Sequence, residues 1–116
     1  MSWLDYEYRG LDNAGEWEYG GVSDKLNMIV RGYTFLPIRP ETLCKNTHCR
    51  DRKGFSAFEN DIVVSNSKDI PSTPLVIKYL PNTGKFVMQG NNVDYDLEEG
   101  TFELRGNIFQ HPELLK

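Results

Sequence analysis

Val93-Asp94-Tyr95-Asp96-Leu97-Glu98-Glu99-Gly100-Thr101-Phe102-Glu103-Leu104-Arg105 alternates apolar and polar side chains on both sides of a turn signal. Val93, Tyr95 and Leu97 fall on one side and Asp94 and Asp96 on the other, while Phe102 and Leu104 alternate with Thr101, Glu103 and Arg105. A period of two marks a half-buried β-strand, and Gly100 can take the positive φ of a tight reversal. The stretch therefore predicts a hairpin of strands 93–97 and 101–105, with Val93, Tyr95, Leu97, Phe102 and Leu104 inside.

The same rhythm continues upstream. Leu75-Val76-Ile77-Lys78-Tyr79-Leu80 is rich in β-branched and aromatic residues, Pro81-Asn82-Thr83-Gly84 is turn chemistry, and Phe86-Val87-Met88-Gln89 returns. Phe55–Phe58 and Asp61–Val64 read as two short strands meeting at Glu59-Asn60. Residues 65–73 are polar and predict an exposed loop. The first half is less regular: Tyr6–Arg9 and Glu16–Tyr19 can pair across the Gly10–Gly15 turn, and Leu26–Val30 and Tyr33–Pro37 supply further apolar stretches. No segment sustains a helical period. The one helical signal is His111-Pro112-Glu113-Leu114-Leu115, where proline suits the first position of a single turn.

The expected fold is all-β: an irregular N-terminal β-part over residues 1–50, then a small SH3-like barrel over 51–116, in one domain with at most one short C-terminal helical turn. The 116 residues, 39% hydrophobic and 26% charged, suit one folded domain rather than a disordered chain. Thirteen basic against seventeen acidic residues argue against wholesale coating of nucleic acid or membrane. Charge is uneven: residues 1–24 hold six acids and one base, and residues 31–53 six bases and two acids. Such asymmetry suits docking of one copy on another, or of the two ends of one copy on each other.

The Met1-Ser2-Trp3-Leu4-Asp5 start lacks a basic segment and long apolar run, and no stretch approaches the about 18 apolar residues of a membrane span. No membrane association and a cytoplasmic location are expected, with both cysteines as thiols.

Three stretches in order resemble the YopX family of phage and prophage proteins: Tyr8-Arg9-Gly10 with Asn13–Gly20; Arg39–Thr42 running to Asp51–Gly54 and Phe58–Val63; and Gly106-Asn107-Ile108 with His111–Leu115. The resemblance implies a small, mostly β protein with an SH3-like second half and a phage-linked origin. It carries no catalytic residues over. Two departures stand out: Asn60 occupies a position where the family has glycine, and His48-Cys49 replaces a Gly-Leu pair.

Candidate chemistry is sparse. Cys44, His48 and Cys49 form C-x3-H-C, three soft ligands that His111 or a carboxylate would have to complete for zinc; the alternative is two unliganded thiols in a loop entering the barrel. Asp94, Asp96, Glu98 and Glu99 could hold a hard cation or form the solvated, aggregation-resistant face of a hairpin. Arg50, Arg52 and Lys53, with Phe55 close behind, could contact phosphates while the aromatic stacks on a base; they equally suit a plain hairpin tip. Trp3, Tyr6, Tyr8, Trp17 and Tyr19 concentrate aromatics as an interface anchor does, and as a small β-core does.

The preferred expectation is a non-enzymatic interaction module that binds a protein partner or itself, without cofactor or metal. The alternative is a nucleic-acid-binding barrel using Arg50, Arg52, Lys53 and Phe55.

Overall fold

The computed structural model describes residues 6–116, which are all-β with two isolated 3₁₀ turns. Two compact units divide them, the boundary falling between Asn46 and Thr47.

In the first unit, β1 (Tyr8–Leu11), β2 (Trp17–Val22), β3 (Met28–Arg31), β4 (Thr34–Pro37) and the start of β5 (Cys44–Arg50) lie in the order β4-β3-β2-β1-β5, antiparallel where they pair. The anticipated pairing of Tyr6–Arg9 with Glu16–Tyr19 is present: Arg9 faces Tyr19 and Leu11 faces Trp17. Asp12 closes the intervening turn by accepting the Ala14 and Glu16 N–H groups on Oδ1. Between β3 and β4 the turn is Gly32-Tyr33, with Gly32 at φ 62°, the left-handed first position of a II′ hairpin. Leu11, Ile29, Ile38 and Cys44 are buried. A Cβ on Gly20 would stand 2.5 Å from the Val30 carbonyl oxygen, so glycine there sets how closely β2 approaches β3.

In the second unit, β6 (Ser56–Phe58) lies beside β5, and β7 (Asp61–Ser65), β8 (Leu75–Leu80), β9 (Lys85–Gly90), β10 (Val93–Asp96) and β11 (Phe102–Asn107) form an antiparallel sheet in the order β10-β9-β8-β7-β11. Its core is Ala57, Val63, Leu75, Ile77, Met88 and Phe102, with Tyr95, Leu97 and Leu104 packed against it. The β8–β9 hairpin is the one anticipated, running from Val76 opposite Gln89 to Leu80 opposite Lys85. A 3₁₀ turn at Pro112–Leu115 also matches expectation; a second, at Pro40–Thr42, was not foreseen.

Four expectations are corrected. The strands at 93–96 and 102–107 do not pair with each other: β10 pairs β9, β11 pairs β7, and the two stand at opposite ends of the strand order. The Glu98–Thr101 turn does form, with the Thr101 N–H and Oγ1 donating to the Glu98 carbonyl, but it redirects the chain instead of folding it back. The free side of β11 is taken by residues 50–52: the Gly100 N–H donates to the Arg50 carbonyl and the Arg52 N–H to the Phe102 carbonyl. Val93, expected inside, is exposed because β10 is an edge strand.

The sheet is a linear series of strands and does not close on itself, so the expected SH3-like barrel is not what the strand order describes. The stretch with both cysteines is strand β5 rather than a loop. Its polar sequence hid it, because buried Asn46 and Thr47 hydrogen-bond their surroundings: Asn46 Nδ2 donates to the Tyr6 carbonyl and Thr47 Oγ1 to the Ala57 carbonyl.

His48 and Asn60 have φ of 61° and 70°. Both sit where the resembled family carries glycine, and the left-handed backbone is the physical reason. Asparagine tolerates that conformation better than histidine. His48→Gly is therefore expected to raise stability by about 1 kcal/mol, read as a higher urea midpoint with an unchanged slope.

Candidate functional site

Two sets of sequence-selected residues stand in defined surroundings, one in each unit.

In the first unit the register assigns sides. Arg9 and Leu11 of β1, Trp17, Tyr19 and Gly21 of β2, Met28 and Val30 of β3, and Phe35 and Pro37 of β4 share one side of the sheet. Tyr8 projects from the other side, and Trp3 lies outside the described residues. Of the described aromatics picked from sequence, Trp17 and Tyr19 therefore share one side of the sheet while Tyr8 takes the other. Arg9, only 7% exposed, holds its guanidinium carbon 4.0 Å from the Trp17 ring centroid, a cation–π contact that occupies one ring face internally. Toward the β4 edge the same side becomes open: Phe35 is 61% exposed, and Tyr33 at the hairpin tip is fully exposed. A groove beside them is lined by apolar Val22, Met28, Val30 and Phe35 and by polar Ser23, Asp24, Lys25 and Asn27. Sequence reasoning passed over Tyr33 and Phe35, since their stretch reads as another core strand; the signal was Gly32, which makes the stretch an outer hairpin arm.

The β1–β2 hairpin also carries an acid pair. The Glu16 N–H bonded to Asp12, above all, holds the Asp12 carboxyl below its ordinary range. Burial pushes the Glu18 carboxyl up, and its side-chain hydrogen bond with Asp12 adds to this.

In the second unit the turn 51–55 is organised by Asp51, which is 4% exposed. Its Oδ1 accepts the Lys53 and Phe55 N–H groups at 2.9 Å each, and its Oδ2 accepts the Leu104 N–H of β11 at 3.1 Å. Outside this frame stand Arg50, Arg52, Lys53 and Phe55, all exposed. Glu103 gathers three cations: Lys53 Nζ at 3.4 Å, Arg52 Nη1 at 3.8 Å and Arg105 Nη2 at 3.9 Å. Arg105 was not picked from sequence; it reaches the group from the irregularity in β11 between Leu104 and Gly106, where the register against β7 shifts by one residue.

The C-x3-H-C residues lie in different settings. Cys44 is buried and its Sγ donates to the Thr42 carbonyl, His48 is exposed, and Cys49 is half-buried. Burial first, then Glu99, push the Cys49 thiol up, away from the thiolate that zinc requires. His111 Nδ1 accepts the Asn107 N–H instead of turning to a metal. Among the described residues no group of three or more His, Cys, Asp and Glu side chains is arranged to hold a metal ion. Asp94 accepts a hydrogen bond from Gln89 Nε2 on the exposed β10 edge. No described helix is long and apolar enough to cross a membrane.

Two antiparallel sheets, an aromatic hairpin arm and a carboxylate-framed basic turn define a small all-β protein. Residues 5–116 match the family model described as YopX protein, and the chain belongs to the YopX family. No curated protein matches it.

Asp51→Ala is expected to cost about 2–4 kcal/mol in denaturant unfolding, since three backbone donors lose their acceptor, whereas Arg52→Ala costs under about 1 kcal/mol because its ion pair is exposed. For Glu18 the folded-state carboxyl titrates above its unfolded value, so ionising it weakens the fold as pH rises through the folded value. Glu18→Gln should then raise the melting temperature near neutral pH, with the gain vanishing in acid where wild-type Glu18 carries its proton.

Proposed function

We propose that the protein is a phage-encoded accessory module that works in the host cytoplasm by binding a protein surface, and that this surface is a second copy of itself. The phage and cytoplasmic parts of this reading rest on the resemblance to prophage proteins.

The observation that carries the reading is the side of the first sheet bearing Trp17, Tyr19, Val30 and Phe35, which stays apolar out to the β4 edge and ends in exposed Phe35 and Tyr33. Isolated exposed apolar residues are ordinary, but exposed Tyr33 and Phe35 continue into half-buried Val30, Tyr19 and Trp17 beside a groove, and such continuity favours contact with another protein. Aromatic residues in such a stripe supply large buried area at low entropic cost.

The edge itself supports burial of side chains over addition of a long strand. Ile38 N–H donates to the Asn27 carbonyl, so by alternation the backbone groups of residues 35 and 37 point away from β3. Pro37 has no N–H to offer there, which blunts the edge as proline does elsewhere.

A second copy is favoured as occupant by the charges that line the groove. Asp24 and Lys25 are adjacent and opposite in sign, so a two-fold axis through the groove sets each against its complement on the other copy.

Sedimentation of the full chain should show a dimer at micromolar concentrations, and Phe35→Ser with Tyr33→Ser should shift it to monomer with an unchanged circular dichroism spectrum. A wild-type monomer at about 100 μM, a concentration far above the dissociation constants of stable complexes, would overturn the self-association.

A further inference from the structure

We infer that the Asp51–Phe55 turn, together with Glu103 and Arg105, is a binding site for the phosphodiester backbone of single-stranded nucleic acid, separate from the aromatic side of the first unit. Three cations converge on the single Glu103 carboxylate. That carboxylate is 18% exposed, while Arg52, Lys53 and Arg105 are each more than half exposed. The carboxylates of Asp51 and Glu103 formally offset two of the three cations, so the group carries an excess of one positive charge, spread over three side chains that stay largely in water.

The array is also held in place. Asp51 pins the turn at both ends through the Lys53 and Phe55 N–H groups and fastens it to β11 through the Leu104 N–H. The Arg52 N–H donates to the Phe102 carbonyl, so the backbones of Arg52 and Lys53 are both held by hydrogen bonds. Cations on a fixed frame lose less freedom on binding than cations on a loose loop.

Guanidinium groups match phosphate oxygens as two-pronged donors, and Lys53 adds a point charge. The exposed aromatic decides among anions. Phe55 ends the same turn with 59% of its surface in water, and nothing in the cluster's ion pairing requires an aromatic there. Unpaired bases stack on such rings, whereas duplex bases and acidic or phosphorylated peptides do not need them. The chain's overall negative charge limits this to a local contact of few phosphates, and so to modest affinity.

The test is fluorescence anisotropy of the full-length protein with labelled oligothymidylate and oligouridylate across a salt series. Two phosphate contacts predict a slope of log affinity on log salt near about −1.4. Arg52→Ala with Arg105→Ala should flatten that slope and weaken binding at least about tenfold at low salt. Phe55→Ala should weaken binding by roughly tenfold with the slope unchanged, the signature of lost stacking. All three residues are exposed, and circular dichroism confirms that each variant is folded. No binding at about 100 μM protein in low salt, where even non-specific complexes form, would overturn the proposal. So would binding unaffected by the arginine pair, or equal competition by polyglutamate or a phosphopeptide, which would assign the turn to acidic protein segments.

Discussion

A single buried carboxylate holds the second unit's least predictable corner. Asp51 is nearly inaccessible, and it serves three backbone donors on two separate pieces of chain. Two of those donors close a tight turn and the third belongs to β11, a strand more than fifty residues later. Burying a charge is costly unless hydrogen bonds replace its water, and here the replacements are peptide N–H groups that themselves need acceptors. The arrangement satisfies both sides at once. It also explains why β11 needs no neighbouring strand at its second edge: residues 50–52 occupy that place.

From that constraint the rest of the second unit follows. With β11 bonded to β7 on one side and to residues 50–52 on the other, β10 cannot reach it and pairs with β9 alone. β10 is then an edge, and its exposed Asp94 and Asp96 suit an edge, since charge discourages pairing with a foreign strand. The basic side chains on the outside of the Asp51 turn inherit its rigidity, which is what separates them from an ordinary charged loop. In the first unit a different constraint acts. Gly20 allows β2 to lie close against the β3 backbone, and Gly32 reverses the chain into β4, leaving that strand's aromatic outward.

Local patterns in the sequence were reliable where local chemistry decides structure. The Pro81–Gly84 turn flanked by alternating strands led directly to the β8–β9 hairpin, and Pro112 to the C-terminal turn. The alternation at 93–105 was real and the Glu98–Thr101 turn formed, yet the inferred hairpin was wrong, because strand partnership is settled by long-range bonds that periodicity does not encode. Strand β5 escaped notice for a related reason: Lys45, Asn46, Thr47 and His48 read as loop, and the hydrogen bonds that permit burial of Asn46 and Thr47 are invisible in sequence. On the candidate surfaces, the basic turn was legible as a cluster, but Arg105 and the organising role of Asp51 required the fold. Among aromatics, sequence density pointed to the first twenty residues, while exposure picked out Tyr33 and Phe35.

Native-state hydrogen exchange at the Lys53, Phe55 and Leu104 amides tests the Asp51 corner most directly. Lys53 and Phe55 belong to an exposed turn, so only the carboxylate can shield their N–H groups. All three amides are expected to exchange as slowly as their neighbours in the β7–β11 ladder and to open together with it. Lys53 and Phe55 amides that exchange at the rate of unstructured chain, while the ladder stays protected, would contradict it.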